Sequence, residues 1–296
     1  MANIFAVAFS EISMHLAVGD KESGPFGGIQ TVQSIPYPPG FQYTDFKNEH
    51  FVQSVSEILY KKKEELNTDK DFSLSFALPL NLAFYKRIAV PLETDKAMIR
   101  EQAEWELRAY LPGELTDYKI IKTHIEFDYD LFKEILFVAI YRLIPEQFQA
   151  VARNLGVALN NVWLENVAVE KFLRANDLLD EKVNQFLVKI DGIKVKSILL
   201  ISGQFYTACI DVVDQNARTD QLLKTIKQRY NQFLSLCEQL PFASGKELQL
   251  FYWGESIDDG LRKSLQKNFS FDLRELTLSA GQIQSAGIEA AGLVLG

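Results

Sequence analysis

Cysteine and histidine are scarce in this 296-residue chain: Cys209 and Cys237, and His15, His50 and His124. Two cysteines cannot supply a disulfide framework. Cys209 falls in an apolar strand pattern and Cys237 on a helical one, which fits reduced core residues. The histidines are isolated, so no metal-ligand spacing exists. There is no Walker loop, no Gly-x-Ser-x-Gly elbow and no Cys–His pair in a supporting context. Long hydrophobic runs are also missing, since no apolar stretch approaches the roughly 18 to 20 residues that cross a bilayer. The N-terminal residues 1–11 lack a basic start and are broken by Glu11, which does not fit a signal peptide. Positive charge is the minority, 31 Lys and Arg against 39 Asp and Glu, for a formal net charge of −8. That argues against a general nucleic-acid or anionic-membrane binder, because phosphate contact needs a basic surface. The one basic cluster, Lys61-Lys62-Lys63, runs into Glu64-Glu65 and reads as a solvated helix end. The expectation is a cytoplasmic protein that reaches a membrane only through a partner.

What is present is ordinary for a globular chain, 47% hydrophobic and 24% charged, long enough for one large or two modest cores. Residues 4–18 alternate: Phe5, Val7 and Phe9, then Ile12, Met14, Leu16 and Val18, on either side of Ser10-Glu11, which predicts a hairpin. A turn at Gly24-Pro25-Phe26-Gly27-Gly28 leads to a strand over 29–35, closed by Pro36-Tyr37-Pro38-Pro39-Gly40. A helix over 48–66 and a strand over 72–78 follow. A second β-like run covers 82–90, and Thr94-Asp95 opens a helix that stops at Pro112. Its residues Ile99, Ala103, Leu107 and Tyr110 are expected to face the core. Strands are predicted over 118–128 and 131–141, a helix from Pro145 to Gly156, a strand over 157–163 and a helix over 165–176.

After a polar boundary at 177–184, strands over 186–190, 194–201 and 205–212 form a meander with Asp191-Gly192 and Ser202-Gly203 as turns. A helix over 219–240, a strand over 248–253, a helix over 258–268, a strand over 271–276 and a small-residue tail helix over 282–295 complete the chain. The carboxylate pair Asp258-Asp259 begins a helix, where the dipole accounts for it. The chain thus holds two copies of meander, helix, strand. This predicts an α/β, actin-like (ribonuclease H-like) two-lobed fold with an inserted α+β subdomain in the first lobe. The first lobe is expected at 1–81, completed by 163–180 and the helix at 282–296. The insertion is expected at 82–162, and the second lobe at 183–281.

Several motifs carry a resemblance: Pro-Tyr-Pro-Pro-Gly before the first helix, Ala77-Leu78-Pro79, Lys86-Arg87-Ile88 with Val90-Pro91, Arg100 through Trp105 to Tyr110-Leu111-Pro112, Leu155-Gly156-Val157, and the closing Ala290-Ala291-Gly292-Leu293. Together they make the chain resemble the type IV pilus assembly protein PilM and, more distantly, the cell-division protein FtsA. The resemblance implies nucleotide loops, and here they look degenerate. The first, Asp-Ile-Gly followed by hydroxyls in that family, aligns with Ala8-Phe9-Ser10-Glu11-Ile12-Ser13. The metal-positioning carboxylate has become Ala8, the glycine Ser10, and Glu11 puts negative charge where phosphates would sit. An ordinary hairpin turn explains these residues better. The second loop aligns with Lys189-Ile190-Asp191-Gly192. Gly192 survives but also suits a plain turn, and Lys189 and Lys194 could attract phosphate or simply be exposed strand ends. In the adenosine loop Trp253-Gly254-Glu255-Ser256 keeps one glycine, with Trp253 in a position to fill nucleotide space, and the family's lid over the base is missing between the meander and this loop.

The resemblance implies a scaffold of a pilus or secretion-type membrane assembly that binds a short cytoplasmic segment of a membrane partner, with self-association a further possibility. No catalytic residue, cofactor or metal is assigned. The expected partner-binding residues are Tyr85, Lys86 and Arg87, at a sheet edge open to an extended peptide. Two alternatives stand: an actin-like ATPase with a rearranged site, and an actin-fold module recruited for another binding role. Nucleotide binding separates the first alternative from the scaffold, and neighbouring genes for membrane proteins and a pilus-type ATPase bear on the second.

Overall fold

Alternating apolar residues set the first sheet. In a computed structural model describing residues 3–20, 28–46, 48–66, 72–214, 219–269, 273–277 and 286–295, Asn3–Phe9 (β1) and Ser13–Asp20 (β2) pair antiparallel as predicted. Phe5, Val7, Phe9, Met14, Leu16 and Val18 share one core face. Ile12 departs from the expected series: it lies in the turn and is exposed. Every residue of both strands is buried, as in a sheet covered on both faces. Ile29–Pro36 (β3) pairs with β2. The expected turn at 24–27 lies outside the described residues. Helix Glu49–Glu65 (α1), capped by the Asn48 side chain accepting from the His50 amide, leads into Phe72–Leu78 (β4), which runs parallel to β1.

The insertion starts at Ala83–Pro91 (β5), followed by helix Lys96–Tyr110 (α2), Tyr118–Tyr129 (β6) and Phe132–Tyr141 (β7). The Asp95 carboxylate caps α2, accepting from the amides of Ala97 and Met98. The three strands form their own sheet in the order β5-β7-β6. One face, with Ile88, Val90, Ile135 and Phe137, packs on Ile99, Ala103 and Leu107 of α2. Tyr110 was expected among them but is 53% exposed. The other face, with Phe127, Leu136 and Val138, joins the core of the second lobe.

The insertion is shorter than the expected 82–162. Helix Leu143–Asn154 (α3) sends Ile144, Phe148 and Val151 into the first-lobe core, where Phe148 stacks on Phe76. Ala158–Leu164 (β8) pairs in parallel with β4. The first sheet is therefore β3-β2-β1-β4-β8. A parallel neighbour needs a long crossover, and here the whole insertion plus α3 supplies it.

Helix Glu165–Ala175 (α4) leaves this sheet for the second lobe. There Asn184–Asp191 (β9), Lys194–Ile201 (β10) and Gln204–Val212 (β11) form the meander. Helix Thr219–Gln239 (α5), strand Leu248–Trp253 (β12), helix Asp259–Asn268 (α6) and strand Leu273–Glu275 (β13) follow. The sheet order, β11-β10-β9-β12-β13, repeats that of the first lobe. Among the described residues α5 is the one helix between β11 and β12. Residues 271, 272 and 282–285 of the expected last strand and tail helix lie outside the described residues.

The tail helix Ile288–Leu295 (α7) packs against α4. The pair forms a layer between the sheets. Ala168, Ala290, Leu293 and Val294 meet Ala6, Ala8, Ala17 and Ala77 of the first sheet. Phe172, Leu173, Ile288 and Ala291 belong to the core of the second. Contact between the helices is very close: a Cβ built on Gly292 would lie 1.9 Å from the Ala168 carbonyl oxygen. Gly292→Ala should therefore destabilise the protein by about 1–3 kcal/mol, as overpacking in a closed interior does, read from urea unfolding midpoints at unchanged m.

Candidate functional site

Three turns meet at the cleft between the lobes: Ser10 to Ile12 between β1 and β2, Asp191 to Ile193 between β9 and β10, and Gly254 to Ser256 after β12. The hairpin turns abut, with the Glu11 amide donating to Asp191 Oδ1 at 3.1 Å. The Gly192 amide donates to Ser256 Oγ at 2.8 Å. Gly254 is required by close approach: its φ is 139°, and a Cβ there would lie 2.0 Å from the Ile190 carbonyl oxygen.

Hydroxyls that could hold a phosphate are already occupied. Ser10 Oγ donates to Glu255 Oε2 at 2.9 Å, and Ser13 Oγ donates to Glu255 Oε1. His15 Nε2 lies 3.1 Å from the same carboxylate, and its Nδ1 is 3.0 Å from Ser34 Oγ. His15 is fully buried. Burial lowers its pKa against the pull of Glu255, so the ring is neutral at pH 7. Glu11 is also engaged, accepting from Lys194 Nζ at 2.7 Å and the Tyr43 hydroxyl at 2.6 Å.

Beneath the turns lies a buried ionic cluster. Lys189, read from sequence as a phosphate-attracting or exposed strand end, is only 2% exposed. Its Nζ is 2.7 Å from both Glu165 Oε1 and Glu289 Oε1, and 3.8 Å from Asp191 Oδ2. Lys196, also buried, bonds both oxygens of Glu165 at 3.1 and 3.0 Å. Glu165 Oε2 additionally accepts from the Leu80 amide at 3.0 Å. Trp253 is fully buried and donates through Nε1 to Glu289 Oε1 at 3.0 Å. Burial alone would raise the Glu165 carboxyl, but the Lys189 and Lys196 ammoniums overcome it and hold the group well below the usual range. Burial would likewise lower Lys189, but Glu165, Glu289 and Asp191 hold it well above its ordinary value. Both groups are therefore charged at neutral pH. Ala8 contributes only a methyl group to the small-residue layer under α7.

The charge balance bears on nucleotide binding. Across the site Lys189, Lys194 and Lys196 face Glu11, Glu165, Asp191, Glu255 and Glu289, three positive charges against five negative, a net of −2. Asp191 Oδ2 and Glu289 Oε2 are buried and accept no hydrogen bond. A triphosphate would meet like charge, and two unit charges about 4 Å apart repel by about 1 kcal/mol in water and several-fold more when enclosed. The three cations are held by internal carboxylates. Among the described residues no group of three His, Cys, Asp or Glu is placed to hold a metal.

The sequence-predicted partner-binding residues lie on β5, an edge strand of its sheet, but not on one face of it. Strand period two divides them between the faces of β5. Lys86 turns toward α2, 3.3 Å from Glu106 and over the Tyr110 ring. Tyr85 and Arg87 turn toward the second lobe. Tyr85 packs on Phe205, and its hydroxyl donates to Asn166 Oδ1 at 3.4 Å. The Arg87 guanidinium donates to the carbonyls of Phe205 and Tyr206 at 2.5 and 2.7 Å and lies between the rings of Phe127 and Tyr206. Arg87 therefore joins the insertion to the second lobe, and its reversal would destabilise the fold. Sequence reading missed Glu165, Lys196, Glu255 and Glu289. Their only signal was charge inside or beside apolar runs.

Glu170 of α4 is a further buried acid near the same interface. The residue is half-buried, but its Oε1 is sealed from water with no hydrogen-bond partner. Burial raises the carboxyl from 4.5 to about 7, against Arg174, Asn166 and the Phe205 backbone.

No protein-family model and no curated protein sequence matches the chain. Solved structures do. The PilM–PilN type IV pilus biogenesis complex superposes with a TM-score of 0.71 at 14% identity, over 99% of this chain and 97% of that one. A Bacteroides thetaiotaomicron protein of actin-like ATPase fold and unknown function gives 0.56 at 10% identity, over 99% and 96%. The cytoplasmic domain of EpsL, an inner-membrane component of the Vibrio cholerae type II secretion system, gives 0.55 at 10% identity, over 100% and 96%. The fold is thus actin-like and two-lobed, as the element order and the resemblance predicted.

Two predictions come from this geometry. Lys189→Met leaves Glu165 and Glu289 buried without their shared cation and should cost about 3–5 kcal/mol in urea unfolding. In the Lys189→Met/Glu289→Gln double variant the loss should be smaller than the sum of the single changes, because the groups are coupled. The second concerns pH. The folded protein keeps the Glu170 proton up to about pH 7, whereas the unfolded chain releases it near 4.5. Between those values the folded form binds more protons, so this group makes stability fall as pH rises, by about 3 kcal/mol in all. Glu170→Gln should remove that slope and leave the variant more stable than the parent at about pH 8, measured by denaturation across the range.

Proposed function

We propose that the chain is a non-catalytic actin-fold scaffold that binds a short cytoplasmic segment of a membrane protein in a pilus or secretion-type assembly. The observation that carries this reading is the filled cleft: Lys189, Glu165, Glu289 and Trp253 occupy the space beneath the three turns, and Glu255 takes the Ser10 and Ser13 hydroxyls. A protein whose cleft is filled by its own side chains acts through its surface. The similarity to the PilM–PilN complex and to cytoplasmic EpsL supports the kind of assembly. No helix among the described residues is long and apolar enough to cross a membrane.

Calorimetry with millimolar ATP and Mg²⁺ should show no saturable heat, and Ala8→Asp alone should not create any, because the other two turns stay closed. A low-micromolar dissociation constant would overturn the non-catalytic reading in favour of a rearranged ATP site. Partner capture is tested separately, by purifying the chain with cytoplasmic segments of membrane proteins encoded beside it.

A further inference from the structure

The sheet of the insertion ends in two edge strands, β5, whose Tyr85 and Arg87 side chains meet the second lobe, and β6. Helix α2 packs on β5 and β7, and β6 ends the sheet, so among the described residues nothing pairs with its outer edge. A helix about 10 Å wide spans two strands about 4.8 Å apart, so on that face β6 is buried at Tyr118 but only partly covered at Ile120. The result is a groove of about 770 Å³ between α2 and the start of β6. Its floor is apolar, with Ile99, Ala103, Ile120 and Phe137. Its walls carry Lys96, Arg100, Arg108, Lys119, Lys122 and Arg142, against the single acid Glu104. Arg100 pairs with Glu104, and Lys122 with Glu126 outside the groove. Lys96, Arg108, Lys119 and Arg142 have no carboxylate partner among the described residues.

We propose that this groove binds an extended acidic peptide segment of a partner, which adds as a fourth strand to the β6 edge around Lys119 to Lys122. The edge supplies unpaired main-chain donors and acceptors; added side chains of one parity meet the apolar floor and the cations of α2, and those of the other parity meet Lys119 on the opposite face of the sheet. Edge lysines and a ladder irregularity, present here between Lys122 and Glu126, ordinarily discourage strand pairing. An acidic segment is the kind of strand that removes this penalty. A nucleic acid or anionic lipid surface is disfavoured by the chain's net charge of −8. The proposal deepens the binding role given above and rests on it. Its probe contains neither nucleotide nor membrane protein, so failure in the groove leaves that role standing, whereas ATP binding in the cleft would remove the role without touching the groove.

The test is fluorescence anisotropy of the full chain with a labelled peptide of about eight residues alternating valine and glutamate, long enough to match one strand. Saturable binding is expected, weakened at high salt and reduced at least about ten-fold by Arg108→Glu/Lys119→Glu. Both residues are exposed, so the thermal midpoint should hold, and Lys263→Glu on α6 should bind like the parent. Hydrogen exchange should show peptide-dependent protection at residues 119–122. Absence of saturable binding would overturn the proposal. So would equal binding of a valine–lysine peptide, or protection that falls elsewhere. Anionic vesicles or RNA binding in the groove more tightly than the peptide would reassign it to a polyanion.

Discussion

The closed arrangement of the two lobes depends on the ammonium of Lys189. It comes from a central strand of the second sheet and is shared between Glu165 at the start of α4 and Glu289 in the first turn of α7. Each charge in isolation would cost several kcal/mol to remove from water, so none is tolerable without the others. Such a network is a poor source of net stability compared with apolar residues of the same volume. What it specifies is geometry. The four charged side chains, with Lys196, come from β9, β10, α4 and α7, and only one relative placement of these elements satisfies them together. The network thereby fixes by side chains what a bound ion and phosphates could fix in an open cleft.

The two-helix layer makes that placement possible. Toward the first sheet α4 and α7 present alanines and short aliphatics against alanines of β1, β2 and β4, which brings the helices close to the strands. Toward the second sheet they present Phe172, Leu173 and Ile288 among large residues. The Gly292–Ala168 contact holds the helices near enough that Glu165 and Glu289 converge on one ammonium. Packing sets the distances, and electrostatics then selects among the packings.

Local pattern made much of this legible in the sequence. Period-two alternation at Phe5-Val7-Phe9 and Met14-Leu16-Val18 located the first hairpin, Asp191-Gly192 the second, and Asp95 the cap of α2. The repeated order of elements was enough to predict two lobes. What escaped depended on residues far apart in the chain. That β8 returns to β4 is a fact about a parallel crossover, and its strand looks the same from sequence whichever sheet it joins. Lys189 read as a strand-end charge because its carboxylates lie elsewhere: Glu165 comes before it, and Glu289 lies in the tail. Arg87 read as a partner-binding residue, and its own partners could not be seen, because they are the main-chain carbonyls of residues 205 and 206, which leave no trace in side-chain identity. That Glu255 takes the Ser10 and Ser13 hydroxyls could not be read.

The insertion shows where a filled cleft leaves room for specificity. One face of its sheet is joined to the second lobe through Arg87, Tyr85 and Phe127, and the other is braced by α2, so the strands cannot shift without breaking buried contacts on both sides. Rigidity of this kind matters for a binding edge, because ordering a mobile strand at the moment of binding would take back much of the main-chain hydrogen-bond energy. The β6 edge is ordered before any partner arrives. In an ATP-driven relative of the fold, ligand chemistry in the cleft could move the lobes and alter such an edge. Here the Lys189 network ties β9 and β10 of the second sheet to α4 and α7.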